Sequence, residues 1–137
     1  MKVPEIIAHR GASYLAPENT LIAFRKAMEI GADGVEMDVQ QTFDNALVIH
    51  HDYMVDLHTD ISGRIYDLTM DELKDLDFGN WKGAMYRGEH IATLRQALEL
   101  CRDMEGTQVQ LELKSPLDDD PEFVPRVIEE IRAAGIA

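Results

Sequence analysis

The sequence predicts an α/β fold built from parallel βα units. Two observations predict it. Short apolar runs alternate with segments of helical periodicity, in the order strand, helix, strand, irregular segment, helix, strand, helix. Two of the strands also set apolar residues on one face against carboxylates on the other, so one face packs while the other lines something.

The first strand is IIAH, residues 6–9, running into an exit loop at HRG. PENT at 17–20 opens a helix whose stripe is Leu21, Phe24, Ala27 and Met28, with Gly31 as its stop. In GVEMDVQQT, Val35, Met37 and Val39 alternate with Glu36, Asp38 and Gln40. ALVIHH, 46–51, is a further strand, set off by Asp44 and Asn45, both common turn residues. Residues 52 to about 92 read as irregular, apart from a Thr69-to-Glu72 capping box that opens one short helix. A second box, Thr93 with Gln96, starts a helix carrying Leu94, Ala97, Leu98 and Cys101 at helical spacing. VQLELK, 109–114, repeats the two-faced strand pattern. The last helix spans Pro121 to Gly135, with Asp120 as N-cap, a stripe of Val124, Val127, Ile128 and Ile131, and Pro125 in its first turn.

Composition bounds the function. At 137 residues and 45% hydrophobic, the chain has material for one compact domain. Twenty-six acidic residues against 13 basic ones leave a formal charge of -13, so there is no basic footprint for nucleic acid. A phosphate-bearing substrate would need a divalent cation or a few placed Arg and Lys side chains to override that field. Cys101 is the only cysteine, which excludes an internal disulfide. The N-terminus lacks the apolar core of a signal peptide, and no run approaches the roughly 18 apolar residues of a membrane span. A cytoplasmic location is the expectation.

The chemistry concentrates on Glu36, Asp38 and Glu112. Residues two apart in a strand point the same way, so Glu36 and Asp38 project together and repel unless something neutralises them. A hard divalent cation, magnesium or calcium, suits such an oxygen-rich site. Carboxylates facing solvent on an edge strand are the plainer alternative. With a two-residue turn at Asp44-Asn45, pairing runs from 43 with 46 back to 38 with 51. His51 then stands opposite Asp38, on the side of Glu36, and His50 is the structural histidine; a longer loop would move this pairing. His9 and Arg10 end the first strand, where parallel-sheet enzymes place site-forming loops. Imidazoles suit acid–base work, and Arg10 and Lys114 suit phosphate oxygens.

HRGAS at 9–13, PENT at 17–20, GADGVEMDVQQTFDNALVIHHD at 31–52 and LELK at 111–114 resemble the signature blocks of glycerophosphodiester phosphodiesterases. The stretches DLTMDEL (67–73), DFGNW (77–81) and IATLRQAL (91–98) extend the likeness along nearly the whole chain. The resemblance implies a TIM barrel, here a partial one of about three of eight βα units, with an insertion after the second strand at about 41–92. Residues 1–137 would then be the N-terminal portion of a single barrel domain, completed by a C-terminal remainder or by self-association. It further implies metal-dependent hydrolysis of a small-molecule glycerophosphodiester to glycerol 3-phosphate and an alcohol. Glu36, Asp38 and Glu112 would hold Mg2+ or Ca2+, His9 and His51 would act as acid and base, and Arg10 and Lys114 would bind the phosphate. The alternative is a non-catalytic fragment that binds metal or phosphate, or serves in assembly. Cys101 is expected to be a buried small hydrophobe, and His58 and His90 to lie at the surface. Phe78, Trp81 and Tyr86 either cap the substrate pocket or form a small core of their own. Asp118, Asp119 and Asp120 read as a solvated, helix-capping loop.

Overall fold

The computed structural model describes residues 2–115 and 120–136. Its frame is a mixed five-stranded sheet. Strands β1 (Ile7–His9), β2 (Gly34–Gln41) and β5 (Gln108–Leu113) are parallel, with β2 between the other two. Strand β3 (Leu47–Ile49) runs antiparallel to the end of β2, and the two-residue β4 (Ala92–Thr93) pairs with β3. No helix among the described residues is long and apolar enough to cross a membrane.

The helices cover one face of this sheet. Helix α1 (Leu21–Glu29) begins where Thr20 accepts a hydrogen bond from the Ala23 backbone, and it buries Ala23, Phe24 and Ala27. Gly31 follows with φ +97°, the left-handed value that ends a helix. The two predicted capping boxes are both formed, at the short α2 (Met70–Leu73) and at α3 (Leu94–Asp103). Val35, Met37 and Val39 of β2 are fully buried against Phe24 of α1, Leu94 and Leu98 of α3, and Val127 of α4 (Phe123–Ala133). Each such side chain contributes about 1.5–3 kcal/mol by leaving water. Cys101 lies in this core as expected, and burial raises its thiol to about 11.

Three expectations need correction. The β2–β3 register differs by one residue: Val39 faces Ile49 and Gln40 faces Val48, and the His50 amide, not that of His51, donates to the Asp38 carbonyl. The cause is a loop one residue longer than assumed. Thr42 donates its amide to the Ala46 carbonyl, and Asn45 takes a positive φ of 65°, the left-handed residue that closes three-residue hairpin loops. Helix α4 starts later than predicted, and its cap residue Glu122 makes no side-chain cap bond. Asp120 still caps the turn that leads into the helix, accepting from the Glu122 amide through Oδ1, while its Oδ2 takes hydrogen bonds from the Gln41 amide and the Arg126 guanidinium. The buried positions of α4 are Phe123 and Val127, while Val124 and Ile128 are exposed. Asp118 and Asp119 lie outside the described residues.

Val48 of β3 and residues between β3 and β4 build a second small core, with Val55, Ile65, Leu73, Phe78 and Ile91. Phe78 thus packs inward rather than capping a pocket. Tyr86 joins Ala16 and Ala23 in a third cluster. His50 is buried here and donates from Nε2 to the Met54 carbonyl. Burial first, and the neighbouring His58 second, pull its imidazole down to about 4. The folded state therefore selects neutral His50. Unfolded histidine titrates near 6.5, so this contribution is complete above about 6.5 and falls by about 1.4 kcal/mol per pH unit below it, down to about 4. Urea unfolding at pH 7 and pH 5 should show a stability loss about 2 kcal/mol larger in the unsubstituted protein than in His50→Gln. Equal losses in the two proteins would contradict this assignment.

Candidate active site

The strand register gathers the polar residues. His9 of β1 is the partner of Glu36 in β2, and Asp38 of β2 is the partner of Glu112 in β5. Laterally paired residues share a face, and with Val35, Met37 and Val39 turned to the helices, Glu36 and Asp38 face the other way. One carboxylate oxygen from each of Glu36, Asp38 and Glu112 lies within 4.8 Å of the other two. Glu36 Oε1 and Asp38 Oδ1 are buried and make no hydrogen bond. Buried acceptors left unpaired are costly and rare. Oxygens ligating one hard cation at about 2.0–2.6 Å stand no farther apart than about 5 Å. These three residues therefore fit a divalent cation. Burial, and then the charge of Asp38, push the Glu36 carboxyl up.

Cations flank the acids. The Lys114 ammonium donates to Glu112 at 2.8 Å and stands 3.7 Å from Asp38 Oδ1. The Glu112 hydrogen bond raises Lys114, and the same bond lowers Glu112. Arg10 sits at the tight exit of β1 with φ 58°. Its backbone amide donates to Glu36 Oε2, and its side chain reaches Glu18 at 2.6 Å and Asp38 Oδ2 at 3.6 Å. Burial alone would lower this guanidinium; the Glu18 hydrogen bond and three nearby carboxylates outweigh it. The loop is tight because Gly11 lies against α1, where a Cβ would meet the Ala23 carbonyl carbon at 2.7 Å.

The histidines occupy different surroundings. His9 has a side chain 68% exposed, with Nε2 3.8 Å from Glu36. His51 bonds Asp52 through Nδ1 at 2.7 Å, and it lines an open depression of about 570 Å³ together with Lys114, Tyr53 and Leu57. The one-residue register change does not remove His51 from this side. The chain leaves β3 at Ile49, and the buried Gln40 amide donates to the carbonyls of His50, His51 and Asp52. That turn sends His50 into the small core and His51 toward Lys114.

Sequence reasoning missed four residues of this site. Asn19, 2% exposed, donates to Asp38 Oδ2 at 2.9 Å and accepts from the Asp38 amide. Glu18 binds both Arg10 and His58, and the His58 bond, with that from Arg10, lowers it to about 2. Gln40 was legible as the third polar residue on the Glu36–Asp38 face, and the Glu-Asn of PENT as polar residues that helix capping by Thr20 leaves unexplained. His58, assigned to the surface from sequence, is only 7% exposed. His90 is exposed as expected.

Fold and site together define an α/β protein that gathers carboxylates, imidazoles and cations on one face and at the C-terminal ends of parallel strands. Residues 9–132 match the family model described as glycerophosphoryl diester phosphodiesterase, and the chain belongs to that family. It is 44% identical over 127 residues to the glycerophosphodiester phosphodiesterase of Caldanaerobacter subterraneus subsp. tengcongensis, covering 93% of this chain and 52% of that one. Among solved structures, a phosphodiesterase of Oleispira antarctica in complex with the product sn-glycerol-3-phosphate superposes with a TM-score of 0.89 at 40% identity, over 95% of this chain and 52% of that one. Glycerophosphodiester phosphodiesterase from Agrobacterium tumefaciens superposes with a TM-score of 0.87 at 33% identity, over 98% and 55% of the two chains. The chain thus spans about half the length of these relatives.

Proposed function

We propose that this protein carries the catalytic site of a hydrolase that converts glycerophosphodiesters to glycerol 3-phosphate and an alcohol. The observation that carries the proposal is the convergence of Glu36, Asp38 and Glu112 within 4.8 Å, two of them with unpaired buried oxygens. In this reading the three carboxylates hold Mg2+ or Ca2+, which supplies charge neutralisation and polarisation at the phosphate. Arg10 offers a planar fork and Lys114 a point charge to the phosphate oxygens.

His9 and His51 move the protons. With Nδ1 engaged by Asp52, His51 presents Nε2 as the working nitrogen. One histidine takes the proton of the neighbouring glycerol hydroxyl as that oxygen bonds phosphorus. The other protonates the departing alcohol oxygen as its bond to phosphorus breaks. Water then opens the resulting cyclic phosphate, with the two roles reversed, and glycerol 3-phosphate leaves.

The same reading makes β1, β2 and β5 the first three of eight strands of a TIM barrel, with residues of about 41–92 inserted after the second. It is supported by the parallel register of those strands and by relatives about twice as long. The test is release of glycerol 3-phosphate from glycerophosphocholine with and without chelator. Release that stops with chelator and returns with Mg2+ or Ca2+ is expected. Release indifferent to chelator removes the cation from the reaction. Ion binding without any release points instead to a non-catalytic binding fragment.

A further inference from the structure

His58 is far from the acidic cluster in sequence, yet it stands between two carboxylates that each serve a site residue. Its Nε2 lies 3.0 Å from Glu18 Oε1, and the other oxygen of Glu18 takes the 2.6 Å bond from Arg10 Nη1. Its Nδ1 is buried without a hydrogen bond and lies 3.9 Å from Asp52 Oδ2, while Asp52 Oδ1 holds His51 at 2.7 Å. An ionised carboxylate only accepts, so Nε2 is the donor toward Glu18. The ring cannot swing away: Trp81 packs edge-on at 4.5 Å between centroids and His50 at 5.0 Å.

We infer that His58 is a positioning residue for the phosphate grip, holding Glu18 so that Glu18 holds Arg10. This rests on the phosphate role given to Arg10 above. The physical need is plain. Arg10 Nε is already 3.6 Å from Asp38 Oδ2, and a guanidinium free of Glu18 would settle onto that carboxylate, lost to phosphate and competing with a cation. Glu18 draws the fork away only if its own carboxylate is fixed. Arg10 fills one oxygen, and His58 fixes the other.

The test is calorimetric titration of inorganic phosphate and of glycerol 3-phosphate, beside KM and kcat for glycerophosphocholine. His58→Leu keeps an apolar body against Trp81 but removes the donor. It should weaken phosphate binding and raise KM about tenfold, the loss of one hydrogen bond to a charged group, with kcat at saturating Ca2+ changed much less and Ca2+ binding weakened in parallel, because the freed guanidinium covers Asp38. His58→Gln, whose amide can donate to Glu18, should recover most of the loss. Should His58→Leu fail to fold, Glu18→Gln replaces it: an amide has one acceptor oxygen and cannot serve Arg10 and His58 together, so phosphate binding should weaken there too. Unchanged phosphate affinity in whichever of these is folded overturns the inference. Phosphate binding that responds to these variants in a protein without turnover sustains the inference and sinks the activity. No phosphate binding by the unsubstituted protein sinks this inference and the Arg10 role with it.

Discussion

Glu36→Gln should lower the rate of glycerol 3-phosphate release at least about a thousandfold, the loss of the several kcal/mol a placed cation supplies. The substitution keeps the shape of the side chain and removes one charge from a cluster whose oxygens lie within 4.8 Å of one another. Its effect on stability should have the opposite character. Without a cation, Glu36 and Asp38 repel in a buried place, and burial with that repulsion already pushes the Glu36 carboxyl up. The metal-free variant should therefore melt no lower than the metal-free unsubstituted protein. Added Ca2+ or Mg2+ should raise the melting temperature of the unsubstituted protein and leave the variant where it was. Near-normal turnover in Glu36→Gln, or equal stabilisation of both proteins by the ion, would remove Glu36 from the cage. A residue that merely packed would lower activity and melting temperature together.

The second large effect belongs to His51. His51→Ala should lower kcat by about 10²–10⁴, the range for loss of a positioned acid or base, while KM and ion affinity stay within a few-fold. The split follows from its place: His51 bonds Asp52 and borders Lys114, but its ring nitrogens are not part of the converging group of Glu36, Asp38 and Glu112. His9→Ala should fall in the same range. Steady-state kinetics with direct Ca2+ titration checks both. A loss carried by KM alone would make His51 a binding residue rather than a proton carrier.

Much of the fold was legible because the signals that specify it are local. The alternation along Gly34–Gln41 and the two capping boxes need only neighbours within a few residues, and each appears in the structure. The gathering of Glu36, Asp38 and Glu112 was readable from the same alternation, since a parallel register carries one polar face onto the next strand. What failed were quantities set by tertiary context. The hairpin register turned on whether Asn45 would accept a left-handed backbone, and a one-residue difference moved His50, not His51, opposite Asp38. Helix α4 keeps Val124 and Ile128 exposed because the helix starts at Phe123 and buries that side chain with Val127. The partners of the site were harder still. His58 is joined to Glu18 across 40 residues, and Asn19 to Asp38 across 19. Nothing in spacing or propensity announces a hydrogen bond between such positions.

Crystals grown with Mn2+ and measured for its anomalous scattering give the most direct test of the acidic cage, since manganese takes the same oxygen-rich sites as magnesium and calcium. One peak within about 2.0–2.6 Å of an oxygen from each of Glu36, Asp38 and Glu112 is expected. A protein that diffracts well and shows no peak there, or places its manganese on other acids of this strongly negative chain, would contradict it.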